Sequence, residues 1–401
     1  MKKNKLCVLP FNSISVDANG QFRACCSSGS NGFNLYAKNL SVEEFINNNK
    51  IVNLRESFLA GEKPSTCDRC WKIEAMGNSS FRHIANEKKI HGIKDNTVIE
   101  FKSHIGFENI QYIDITLGNK CNLACRMCNP FSSSLVAKQL NIISKSNIHQ
   151  EIIEFDRATK DKILDTINKS VNLTSIYMLG GEPLVSDFHD EIVDLLINTG
   201  RASKITLHYN TNLQIDAERK LAVWEKFCCI DLSISIDGHG DTYEYIRWPG
   251  VWNKLYKNIQ LVLDYAKDNK DIIPGIATTV QNLNVDNLDQ LIDSMNTLSD
   301  NALSFYFIPV VQSCELDIMP THALEEAYRN LEKYKNTDLH RANELLNMIS
   351  NAIKKSKTVN PTRVHKFFED QRKYDETRKQ NLFELKPHFT EYAKQFGITT
   401  W

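Results

Sequence analysis

Cys121-Asn122-Leu123-Ala124-Cys125-Arg126-Met127-Cys128 gathers three thiols into one short stretch. Three thiolates can hold three irons of a cubane cluster and leave the fourth iron open to an outside ligand, whereas clusters that only carry electrons take four cysteines. The other chemistry open to this spacing is a zinc site completed by a distant fourth ligand.

The stretch follows a strand-like run, Ile110 to Leu117, through the turn Gly118-Asn119-Lys120. Outward from there, apolar strand patterns recur at Leu173 to Leu179, Lys204 to Asn210, Ile230 to Ile236, Ile273 to Val280 and Leu303 to Val311. Helical patterns lie between them, at Ser186 to Asn198, Asp216 to Phe227, Trp252 to Lys267 and Asn287 to Met295. Strict alternation of strand and helix predicts an α/β fold with a parallel sheet, curved into a partial (β/α)6 TIM-like barrel. In such folds the loops at the strand C-termini build the active site, and the three cysteines fall on the first of these loops. The fourth run alternates Ile230, Leu232, Ile234 and Ile236 with Asp231, Ser233, Ser235 and Asp237. One face is therefore expected to pack on helices and the other to line a polar interior.

The flanks read differently. Ser13 to Val16 and Gln21 to Ala24 enclose Asp17-Ala18-Asn19-Gly20, and an Asn-Gly pair between alternating runs predicts a hairpin. After Pro320 the chain is helical and charge-mixed, with breaks expected at Pro361 and Pro387. The expected division is a small cysteine-rich module over 1–100, the barrel over 101–320 and a helical C-terminal extension over 321–401. The net charge of -1 gives no field that would recruit nucleic acid. No run approaches the ~18 apolar residues of a membrane span. The odd total of 11 cysteines fits metal or cluster ligation in a reducing, cytoplasmic setting better than a disulfide framework.

Gly180-Gly181-Glu182-Pro183 directly follows the second barrel strand. Two glycines let a ligand lie against the main chain, and Glu182 can accept hydrogen bonds from an ammonium group. Together with CxxxCxxC at the end of the preceding strand, this turn makes residues 108 to 312 resemble the radical SAM superfamily. The resemblance implies a four-iron four-sulfur cluster on Cys121, Cys125 and Cys128, with S-adenosylmethionine held at its amino end by Gly180, Gly181 and Glu182. It also implies cofactor contacts from Asn212, from Ser235 and from Arg247, whose guanidinium suits a carboxylate. The residue before the last cluster cysteine, usually aromatic in the superfamily and packed near adenine, is here Met127, whose thioether can make a similar contact.

Cys7, Cys25, Cys26, Cys67 and Cys70 share the first 70 residues, with C-x12-G-x4-C across the hairpin and a later CxxC. This resembles the twitch and SPASM modules that carry auxiliary clusters, here preceding the barrel and with cysteines for one cluster, which favours twitch. The implied ligands are Cys7, Cys25, Cys67 and Cys70, with Cys26 as the substitute for Cys25 and structural zinc as the alternative to a second four-iron cluster. The stretch Glu74 to Arg82 also resembles a segment of proteins with such a module.

Two further residues are candidates for chemistry. Asp237 could act as a general base, and Cys314, after the last barrel strand, could donate a hydrogen atom or ligate a cluster. Cys228 and Cys229 start the fourth strand, away from the chemistry, and read as packing residues. The resemblance implies reductive cleavage of S-adenosylmethionine and hydrogen abstraction from a substrate C–H bond. A peptide or protein is the expected substrate, and a flavodoxin or ferredoxin the expected electron donor. The alternatives are a small-molecule or cofactor-pathway substrate and a zinc-stabilised binding protein without catalysis; an RNA substrate is supported neither by the overall charge nor by a recognisable RNA-binding module.

Overall fold

The computed structural model describes residues 5–27, 40–75, 79–87, 101–268, 271–310, 313–337, 339 and 341–401. One sheet of eight strands organises it, in the order β2-β1-β3-β4-β5-β6-β7-β8. These are β1 Ser13–Val16, β2 Phe22–Arg23, β3 Tyr112–Thr116, β4 Ser175–Leu179, β5 Thr206–Thr211, β6 Cys229–Ser235, β7 Ile272–Val280 and β8 Ser304–Pro309. Every neighbouring pair is parallel except β1 and β2. The six strands β3 to β8 are those expected for the partial barrel.

Alternation sorts the strands into two faces. Ile113, Ile115, Ile176, Met178, Leu207, Tyr209, Ile230, Leu232, Ile234, Ile276, Phe305 and Phe307 are buried in the apolar core that the helices complete. At roughly 25 cal/mol per Å² of apolar surface, burying this layer against the helices favours the fold. The opposite, inward face carries the polar set.

The N-terminal hairpin forms as expected around Gly20, whose φ is +76°. It does not stand apart from the barrel, however. Ser13 to Val16 pair in parallel with Tyr112 to Ile115, so main-chain hydrogen bonds run across the boundary drawn at residue 100. Arg55, buried, donates to Pro10 O at 2.7 Å, to Ile46 O at 2.7 Å and to Ser103 O at 2.9 Å, tying the helix Asn49–Leu59 to both segments. Beyond β8 the chain is helical, with Thr321–Leu331, Ala342–Ser356, Pro361–Arg378 and His388–Gln395 as its main elements. The breaks expected at Pro361 and Pro387 fall between helices, and Pro361 itself opens the helix that follows, since Asn360 caps it and a first-turn proline needs no N–H partner. No helix among the described residues is long and apolar enough to cross a membrane.

Candidate active site

The loop from Gly118 to Ser133 is held in shape by main-chain and side-chain bonds before any ligand is considered. Cys121 N donates to Ser134 Oγ at 3.2 Å, Ala124 N to Trp248 O at 2.6 Å and Arg126 N to Ile246 O at 2.9 Å. The Gly180-Gly181 turn lies directly on this loop. Gly180 has φ +141°, and a Cβ on Gly181 would fall 2.3 Å from Lys120 O and 2.6 Å from Asn119 O, so only glycine fits this contact. Gly181 N and Glu182 N donate to Gly118 O and Lys120 O.

These elements enclose a cavity of about 320 Å³ at the C-terminal ends of the strands. Cys121, Cys125 and Cys128 form part of its wall, as do Gly180 and Gly181. Asn212 with its neighbour Thr211, Ser235 and Arg247 line it as expected, and Thr116 and Asn210 join them without having been singled out in the sequence. Alternation could have found Thr116 and Asn210, because they face inward beside residues that were identified.

The thiols meet donors suited to bound sulfur. Leu123 N donates to Cys121 Sγ at 3.4 Å, Asn212 Nδ2 to Cys121 Sγ at 3.9 Å and Arg247 Nη1 to Cys125 Sγ at 3.8 Å. Burial and then the neighbouring Cys125 push the Cys128 thiol up to about 12, and burial likewise raises Cys121 and Cys125. Buried thiols that resist ionisation alone, two of them beside N–H donors, fit a site whose metal supplies the missing positive charge. Among the described residues, no three Cys, His, Asp or Glu side chains converge as for a single metal ion.

Four expected residues stand elsewhere. Glu182 is buried behind the turn, where it accepts from Thr211 Oγ1 at 2.8 Å, Asn212 N at 2.6 Å and Leu184 N at 3.2 Å. It thus braces the glycine turn against the end of β5. Asp237 is buried beneath Arg247, accepting from its Nε at 2.7 Å and from Thr279 N at 2.6 Å. Cys314 is buried near the helix Pro361–Arg378, with Gln371 Nε2 3.9 Å from its sulfur. Met127 is half-buried against the apolar core.

Burial pushes Glu182 up from 4.5 to about 7, over the opposing effect of its three donors. A pKa raised in the folded state means that the native protein binds the extra proton between these values. The contribution of Glu182 to stability is complete below about pH 4.5 and is lost as pH rises through 7. The difference amounts to roughly 3 kcal/mol at 1.36 kcal/mol per unit. Urea unfolding at pH 5 and pH 8 should show wild type losing about that much more stability than Glu182→Gln, which cannot ionise; parallel pH profiles would refute the assignment.

One polar row lies a pleat below the cavity floor. Register places Ser15, Asp114, Tyr177, His208 and Asp231 side by side across five strands. Ser15 Oγ donates to Asp114 at 2.5 Å, and His208 Nδ1 lies 3.0 Å from Asp231 Oδ2. Burial raises Asp114 to about 6, and the Cys26 thiol hydrogen-bonds to it.

The N-terminal thiols lie close enough to act on one another. Cys7 feels the charges of Cys67 and Cys70, and Cys25 those of Cys7 and Cys67, while burial is the main reason all three of Cys7, Cys25 and Cys67 are raised, Cys67 to about 12. Cys26 turns to Asp114 instead. The stretch from Glu74 to Arg82, of which 76–78 lie outside the described residues, supports this group. Arg82 pairs with Glu74 at 2.7 Å and donates to Leu6 O at 2.7 Å, and its charge acts on Cys7 and Cys67.

Residues 115–282 match the model of the Radical SAM superfamily. The GTP 3',8-cyclase of Clostridium perfringens (strain 13 / Type A) is 25% identical over 206 residues, covering 50% of this chain and 56% of its own. That of Clostridium botulinum (strain Hall / ATCC 3502 / NCTC 13319 / Type A) is 27% identical over 207 residues, covering 50% and 57%. The chain thus spans just over half the length of these curated relatives. Among solved structures, native anSMEcpe with bound AdoMet matches with TM-score 0.39 and 16% identity over 56% of this chain and 60% of its own. Streptococcus suis SuiB bound to precursor peptide SuiA matches with TM-score 0.35 and 13% identity over 81% and 64%. The family match over the barrel, with the cysteine loop and glycine turn inside it, supports an enzyme of the radical SAM type.

Proposed function

We propose that the cavity binds a four-iron four-sulfur cluster on Cys121, Cys125 and Cys128 together with S-adenosylmethionine, and that the protein abstracts hydrogen from a substrate C–H bond. The observation that carries this reading is that all three cysteines, both glycines and Arg247 line one cavity at the strand C-termini. When bound, the cluster and S-adenosylmethionine supply one-electron cleavage to methionine and a 5′-deoxyadenosyl radical, the hard chemistry being the cofactor's.

The chain's own residues hold and orient. Gly180 and Gly181 present main chain to the amino-acid end of the cofactor. Arg247, fixed by Asp237, offers a guanidinium to its carboxylate. Asn212 and Ser235 supply polar contacts to the rest, and the enclosing loops exclude water from the reacting atoms. The cysteines Cys7, Cys25, Cys67 and Cys70 would hold a second cluster, with zinc as the alternative occupant.

The substrate we infer is a peptide or protein. Ile273, Tyr306 and Ile308 are 55%, 40% and 50% exposed on the inward face of β7 and β8, where a polypeptide would cover them. The curated relatives favour a second reading, a small nucleotide, since both are GTP 3',8-cyclases.

The test is 5′-deoxyadenosine formation by anaerobically reconstituted, dithionite-reduced protein supplied with S-adenosylmethionine alone, with GTP, or with a fractionated peptide pool. Product in any arm supports the reaction class, and stimulation by peptide or by GTP chooses the substrate. Cluster-loaded protein that forms none in all three arms would sink the reading.

A further inference from the structure

Behind the cysteine loop, away from the cavity, lies a buried charged network that the proposed chemistry does not use. Arg126, between the second and third cluster cysteines, has a fully buried side chain. Its Nη2 donates to Asp375 Oδ1 at 2.6 Å and Gln380 Oε1 at 2.8 Å, its Nη1 to Gln371 Oε1 at 2.7 Å and its Nε to Tyr245 O at 2.9 Å. The guanidinium lies 3.5 Å from the Tyr245 ring centroid. A second arginine reaches the same loop: Arg378 Nη2 donates to Ala124 O and to Gln139 Oε1, both at 2.7 Å. The other oxygen of Asp375 accepts from Leu382 N at 2.7 Å and from Trp401 Nε1 at 3.0 Å.

Both anchors belong to the helix Pro361–Arg378, and both grip the short segment Ala124 to Arg126 that contains Cys125. A buried charge pair held by this many hydrogen bonds fixes geometry more than it adds stability, because desolvation offsets much of its attraction. We propose that this helix is a clamp on the cysteine loop, with Asp375 and Arg378 as positioning residues that hold Cys125 and Cys128 toward the cavity. The proposal rests on the cluster reading for its function, although the clamp itself concerns the protein alone.

Hydrogen exchange measured by mass spectrometry on the full-length protein tests the clamp without any cofactor. In Asp375→Asn, peptides covering 121–130 should exchange at least tenfold faster than in wild type, while β6 peptides covering 229–235 keep their protection. Trp401→Phe, which removes one N–H donor and keeps an aromatic ring, should give a smaller increase of two- to fivefold in the same peptides. Unchanged loop exchange in both variants would overturn the proposal, as would a rise in loop and β6 together, which marks a merely structural role. If Asp375→Asn fails to fold, Trp401→Phe and Arg378→Lys decide alone. In reconstituted protein, Asp375→Asn should also alter the electron paramagnetic resonance line shape of the reduced cluster. A wild type that takes up no iron would defeat the cluster reading and leave the exchange result to decide the clamp.

Discussion

Replacing Cys121, Cys125 and Cys128 together by alanine is expected to lower bound iron by about four per chain and to abolish 5′-deoxyadenosine formation. Wild type should then carry about eight irons if the N-terminal cysteines hold a second cubane cluster, or about four irons with zinc if that site is structural. The loss of activity should exceed a thousandfold, because no other side chain on the cavity wall is an iron ligand of comparable softness. The fold should survive, since the loop keeps its main-chain bonds to Ser134, Trp248 and Ile246. Far-ultraviolet dichroism checks this. Residual iron equal to wild type would show that the metal sits elsewhere. Four irons lost with activity intact would remove the cavity from the reaction.

The barrel and the cavity wall were legible because their signals are local. Strand alternation, the cysteine spacing and a double glycine each lie within a few residues, so each can be read without knowing the rest of the fold. What the sequence hid is non-local or depends on where a strand stops. Pairing of Ser13 with Tyr112 joins segments that share no nearby pattern, so the hairpin read as a module of its own. Arg126 and Asp375 are 249 positions apart, and a lone arginine in a cysteine motif does not reveal its partner. Glu182 reads as a ligand contact from its motif, yet the turn that brings the glycines onto the loop drives its carboxylate toward Thr211 and Asn212. Alternation also placed Asp237 on the inward face with Ser235, but β6 ends at Ser235, and the next residues leave the pleat through Gly238, whose φ is +145°.

Asp237 is consequently better tested as the residue that fixes Arg247 than as a general base. Burial pushes its pKa up, opposed by Arg247 and by the Thr279 N–H. Burial works against the charge of Arg247 as well, yet Asp237 and Cys125 hold it firmly protonated. With two guanidinium nitrogens at 2.7 Å, the pair is ionised as a unit. Asp237→Ala should therefore cost about 3–5 kcal/mol of stability, the usual effect of leaving one buried charge without its partner. It should also weaken S-adenosylmethionine binding, because Arg247 would no longer be held against the cavity. The double variant Asp237→Ala/Arg247→Leu separates the two effects. Removing both charges should restore most of the stability, while binding stays lost because the carboxylate clamp is gone. Urea midpoints at constant slope measure the first quantity and calorimetric titration with S-adenosylmethionine the second. A general base would behave otherwise: Asp237→Asn, which keeps the shape and one acceptor for Arg247, would then bind the cofactor normally and lose only turnover, with a pH–rate profile stripped of its acidic limb. If instead Asp237→Asn loses affinity and stability together, and the double variant recovers stability alone, the carboxylate acts through the arginine.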